Sequence, residues 1–197
     1  SDLKEIVSVV EQVLNKQNDE YVSKISEKPD YIYPENVHRQ QITMGSSSYI
    51  KIADGCNYHC GYCIIPQLRG VYHSRTIENI VEEAKELVSK GVTEIVLVAQ
   101  DTTSYGIDIY GKLSLAKLLE ELNKIEGLGW IRIMYAYPSN MTDELINAIA
   151  KLDKVVKYID IPLQHYDEKI LEAMRRPAFD YEVLICLLYT SPSPRDA

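Results

Sequence analysis

Apolar positions along the chain fall into two patterns separated by a polar stretch. Between residues 2 and 16, Leu3, Ile6, Val7, Val10, Val13 and Leu14 recur at the three-and-four spacing of an amphipathic helix. Residues 17–48 are polar, hold Pro29, Pro34 and the run Gly45-Ser46-Ser47-Ser48, and read as an interdomain linker. From Tyr49 onward the pattern becomes regular. Short apolar runs at Tyr49–Ala53, Glu94–Ala99, Trp130–Ala136 and Val156–Ile161 predict strands. They alternate with helical patterns at Ile77–Lys90, Ser114–Ile125, Thr142–Leu152 and Asp167–Met174. Such alternation implies right-handed crossovers and a parallel sheet. About four βα units therefore predict an α/β fold, a partial (β/α) barrel, with an open doubly wound sheet as the alternative. On this reading residues 1–16 end a lost upstream domain and residues 49–185 form the core.

Composition narrows the class. With 197 residues, 46% hydrophobic and 25% charged, the chain is that of one ordinary globular domain or a piece of a larger protein. No apolar run reaches the ~20 residues of a membrane helix and no signal peptide opens the chain, so the expected location is cytoplasmic. Against 29 acidic residues stand 21 basic ones, a net charge of −8, which argues against a broad nucleic-acid-binding surface.

Candidate chemistry gathers after the first strand, in Asp54-Gly55-Cys56-Asn57-Tyr58-His59-Cys60-Gly61-Tyr62-Cys63. Four cysteines are too few for a disulfide scaffold, and three of them sit within eight positions, which suggests metal. Three thiolates on a four-iron, four-sulfur cube leave one iron open for a ligand. A closed zinc site needs a fourth ligand, which His59 or His73 can supply. Gln100 and Asp101, Tyr137 to Asn140, and Gln164 and His165 all follow strands at their carboxyl ends. That is the rim where reactive groups gather in β/α barrels.

The spacing Cys56-x-x-x-Cys60-x-Tyr62-Cys63 in a β-to-α loop resembles the signature of the radical S-adenosylmethionine (SAM) superfamily. The resemblance implies that Cys56, Cys60 and Cys63 hold a [4Fe-4S] cluster whose open iron binds SAM through its amino and carboxylate groups, with Tyr62 against the adenine. Gly55-Cys56-Asn57, Cys63-Ile64-Ile65-Pro66 and Arg69-Gly70 resemble the methylthiotransferases. Gln100 to Gly106, Tyr135-Ala136-Tyr137-Pro138, Ile161-Pro162-Leu163-Gln164-His165 and Met174-Arg175-Arg176 resemble their RimO-type branch. That branch methylthiolates the β-carbon of an aspartate in a small-subunit ribosomal protein. The resemblance further implies a second [4Fe-4S] cluster on an amino-terminal domain, whose cysteines this chain lacks. Electron donor and sulfur source stay open, and so does the tRNA-modifying branch of the same family. A non-enzymatic zinc-binding protein is the reading from a different class.

Individual residues keep two readings. Gln100 and Asp101 contact cofactor or substrate, or cap the following turn. Gln164 contacts SAM or satisfies strand-end backbone groups. His165 carries a proton or is only hydrogen-bonded. Arg69 and Arg75 pair with a carboxylate of SAM or substrate, or are solvated loop residues. The carboxyl-terminal string from Cys186 to Asp196 resembles a translated transposase-end adapter from DNA library preparation, so residues 186–197 are expected to be non-native.

Overall fold

The computed structural model describes residues 6–15, 21–22 and 45–176. The string 186–197 and most of the linker assignment lie outside the described residues. Helix α1 (Ile6–Leu14) forms where the apolar spacing predicts it, with no buried residue.

Four parallel strands make the main sheet: β1 (Ser47–Lys51), β4 (Glu94–Val98), β5 (Trp130–Ile133) and β6 (Val155–Ile159). Their spatial order is β1-β4-β5-β6, each strand pairing with the next parallel strand in the chain. A doubly wound sheet reverses its order at a switch point. This sheet steps in one direction throughout, as a β/α barrel wall does. The crossovers are carried by α3 (Ile77–Ser89), α5 (Leu115–Asn123) and α6 (Asp143–Lys151), and α7 (Glu168–Ala173) follows β6. No described helix is long and apolar enough to cross a membrane.

The core lies between helices and sheet. Ile50, Ile95, Leu97 and Ile131 from the strands meet Ile80 and Leu87 of α3 and Leu115, Leu118, Leu119 and Leu122 of α5, all essentially inaccessible. Side-chain caps fix where the helices start. Thr76 accepts from Asn79 N–H at 3.3 Å, Thr142 from Leu145 N–H at 3.2 Å, and Asp167 from Ile170 N–H at 3.2 Å.

Boundaries differ from expectation at the rim. Strand β1 begins at Ser47, with Ser48 buried, so the last two residues assigned to the linker belong to the sheet. The third strand ends at Ile133 rather than Ala136, because Tyr135 takes φ 58° and cannot continue a strand. A two-residue hairpin, β2 (Ala53–Asp54) against β3 (His73–Ser74), brackets the cysteine segment and is too short to show periodicity. The short helices α2 (Ile65–Arg69) and α4 (Ile107–Tyr110) were likewise unexpected.

Candidate metal and cofactor site

The cysteine loop is pinned at both ends. Gly55 has φ 78°, and a Cβ there would lie 2.1 Å from the carbonyl oxygen of Val71, so only glycine fits. Beside it, Asp54 donates no hydrogen but accepts from Lys51 at 2.8 Å and from Gly55 N–H at 3.0 Å. Burial alone would raise the Asp54 carboxyl, but Lys51, the Gly55 amide and Arg69 outweigh it and hold it below the usual value. Cys56 N–H donates to the carbonyl of Gly70 at 3.2 Å, and Tyr72 N–H donates to Asn57 Oδ1 at 3.0 Å. The far end is closed by the segment after α7: Gly61 N–H donates to the carbonyl of Met174 at 2.8 Å.

All three cysteines are free thiols and line one cavity of about 350 Å³. Cys56 and Cys60 are half-buried and Cys63 is exposed. Burial pushes the Cys56 thiol up, with the charges of Asp101, Cys60 and Cys63 adding to it. The remaining wall comes from the carboxyl ends of the other three strands. Ala99 and Gln100 follow β4, Tyr135, Ala136 and Tyr137 follow β5, and Pro162 and Gln164 follow β6, joined by Tyr62 and Arg176.

Of the residues singled out from sequence, Cys56, Cys60, Cys63, Tyr62, Gln100 and Gln164 thus come together. Asp101 does not. It is 2% exposed, and its carboxylate is taken up by Thr103 N–H at 2.9 Å, by the hydroxyls of Thr103 and Ser104, and by Asn140 Nδ2 at 3.1 Å. These bonds cap the turn after β4, and Asp101 lines a neighbouring cavity of about 340 Å³ together with Cys56 and Tyr58. His165 is exposed, lies off the cysteine cavity and accepts from Asp167 N–H at 2.8 Å through Nδ1.

Tyr137, a rim position in the sequence, meets two cavity residues that carry no role there, Tyr58 and Arg176. The Tyr58 and Tyr137 rings stack at 4.3 Å, and the Arg176 guanidinium lies 4.4 Å above the Tyr137 centroid. Burial raises the hydroxyls of Tyr58, Tyr62 and Tyr137, keeping all three neutral. Their meeting point joins segments up to 118 residues apart, from Tyr58 to Arg176, which no local pattern reports.

The donor set fits an iron–sulfur cofactor better than a zinc ion. His59 Nδ1 lies 3.0 Å from the carbonyl oxygen of Asn57, and His73 Nδ1 lies 2.8 Å from that of Val71. Neither ring lines the cavity. Among the described residues, the buried side-chain atoms without a hydrogen-bond partner are Gln100 Oε1, Tyr137 OH and Arg176 Nε, and all three belong to residues of this cavity wall. Unfilled polar atoms of this kind mark a place for a polar ligand.

Comparison with known proteins decides the family. The Radical SAM superfamily profile matches residues 50–187, most of the chain. The chain belongs to the radical SAM superfamily. The chain is 52% identical over 175 residues to a ribosomal protein uS12 methylthiotransferase, RimO, of Caldanaerobacter subterraneus, covering 89% of this chain and 39% of that protein. RimO of Heliobacterium modesticaldum is 48% identical over 177 residues, covering 90% and 38%. The chain therefore spans about two fifths of the length of these relatives. Among solved structures, the radical SAM methyltransferase TsrM of Kitasatospora setae, with tryptophan and a SAM analogue bound, shares the fold. Its TM-score is 0.62 at 17% identity, covering 84% of this chain and 32% of TsrM.

Proposed function

We propose that this chain is the cofactor-binding part of a RimO-type methylthiotransferase, a transferase that modifies an aspartate of a small-subunit ribosomal protein in the cytoplasm. The observation that carries the reading is the single cavity that gathers three free thiols and three partnerless polar atoms. Cys56, Cys60 and Cys63 are the ligands of a [4Fe-4S] cluster, and three ligands leave one iron for SAM. When bound, cluster and SAM supply one-electron chemistry able to remove hydrogen from an unactivated carbon.

The chain's own residues bind, orient and shield. Tyr62, Gln100 and Gln164 take the SAM contacts, and Asp101 acts through its turn by holding Thr103, Ser104 and Asn140 in place. Asn140 in turn donates to the Tyr58 hydroxyl at 2.9 Å, which fixes the stacked tyrosines. Ile65, Ala99, Ala136 and Pro162 give the wall an apolar lining that limits water. The second cluster would be held by residues that this chain does not contain.

Anaerobic reconstitution with iron and sulfide, followed by electron paramagnetic resonance of the reduced protein, tests the reading. A four-iron signal that shifts on adding SAM is expected, and Cys60→Ala should abolish it. Stoichiometric zinc with no four-iron signal would overturn it.

A further inference from the structure

Arg176 is the charged side chain among the described residues that line the cysteine cavity, and no acidic residue lines it. It is 6% exposed. Its Nη1 donates to the Tyr62 hydroxyl at 3.1 Å and its Nη2 to the carbonyl oxygen of Pro162, while Nε has no partner. A guanidinium carries five N–H groups, so these two bonds leave most of them unused. A buried cation without a counter-charge is costly, and the cost is relieved when an anion arrives. The Tyr137 ring lies 4.4 Å from the guanidinium carbon and supports it from one side, and the planar fork of a guanidinium matches the two oxygens of a carboxylate.

The arginines that sequence offered for this role are engaged elsewhere. Arg69 stands 3.7 Å from the Asp54 carboxylate. Arg75 stands 2.7 Å from Glu83 and also donates to the carbonyl of Lys51 and to Asn79 Oδ1, both at 2.8 Å.

We infer that Arg176 forms a carboxylate-binding subsite on the wall of the cysteine cavity. This rests on the reading above, which supplies two carboxylates: that of the methionine part of SAM and that of a substrate aspartate. The subsite places the last described residues of the chain in direct contact with ligand. It also gives Tyr137 a task, that of supporting the guanidinium.

Equilibrium dialysis of the reconstituted 197-residue chain separates the cases. Affinities are measured for SAM and decarboxylated SAM, and for a short aspartyl peptide and its asparaginyl counterpart, on the unaltered chain and on Arg176→Gln. Any preference due to iron chelation is common to both chains and cancels when the ratios are compared. A charge-assisted forked pair predicts that Arg176→Gln lowers one carboxylate preference by roughly 10- to 100-fold. Loss in the SAM ratio assigns the subsite to SAM, and loss in the peptide ratio assigns it to the substrate. Simple loosening of the site weakens both members of a pair alike and leaves the ratio unmoved. Two unchanged ratios overturn the inference. If Arg176→Gln fails to fold by circular dichroism, Arg176→Lys replaces it, keeping the charge without the fork and retaining only part of the preference. An unaltered chain that forms its cluster but binds neither form of SAM overturns the proposed function itself.

Discussion

The helix-facing core and the carboxyl-end rim of the sheet are built from the same four strands but obey opposite rules. In the core, Ile95, Leu97, Ile131 and the leucines of α5 are sealed, and the adjoining α3 and α6 carry side-chain caps. At the rim, Tyr135, Gln164 and Arg175 hold positive φ angles of 58°, 67° and 52° without being glycine. The partnerless buried atoms Gln100 Oε1, Tyr137 OH and Arg176 Nε are there as well. Strain and unmet hydrogen bonding thus collect on one side of the molecule, the side where the strands end. Stability is made in one region and spent on a pre-shaped cavity in the other.

Three substitutions test that contrast. Leu119→Ala empties a fully sealed position in α5 and should cost about 2–5 kcal/mol in denaturant unfolding. A loss no larger than that from a rim substitution would break the distinction. Gln164→Gly works the other way. Relief of the left-handed backbone is worth about 1–2 kcal/mol, and glycine's extra freedom in the unfolded chain offsets about 0.5–1 of it. A net gain in stability with weaker SAM binding is expected, and lower stability would show that Gln164 is not strained.

The smallest effect belongs to Glu121→Gln on the solvent side of α5. Hydrogen bonds from Lys117 and Lys124 lower the Glu121 carboxyl from 4.5 to about 2. Because the folded value lies below the unfolded one, this contribution is present above pH 4.5 and disappears as the pH falls through 2. The two ion pairs lie on the solvent side of the helix, so the variant's melting temperature should drop by only about 1–2 °C at neutral pH. The difference should vanish in strong acid and in high salt.

The same contrast governs what the sequence discloses. Core elements announce themselves because packing demands a periodic apolar face: α3, α5 and α6 lie within two residues of the patterns at Ile77, Ser114 and Thr142. The cysteine loop is legible because its three thiols are close together in the chain. Arg176 and Tyr58 are not, and Tyr137 is legible only as a rim position, since each gains its contacts from a partner brought in by tertiary structure. Asp101 shows the converse limit. Its position after a strand suits either a ligand contact or a cap, and the capping bonds become visible only once the turn is folded.

The bond from Gly61 to Met174 and that from Tyr62 to Arg176 also set a schedule for synthesis. A ribosome adding about 5–20 residues per second needs roughly 6–23 s to travel the 114 residues from Tyr62 to Arg176. For that interval the nascent thiols lack the segment that closes over them. Cluster insertion completed during translation would meet an open loop, whereas insertion after release meets a finished one.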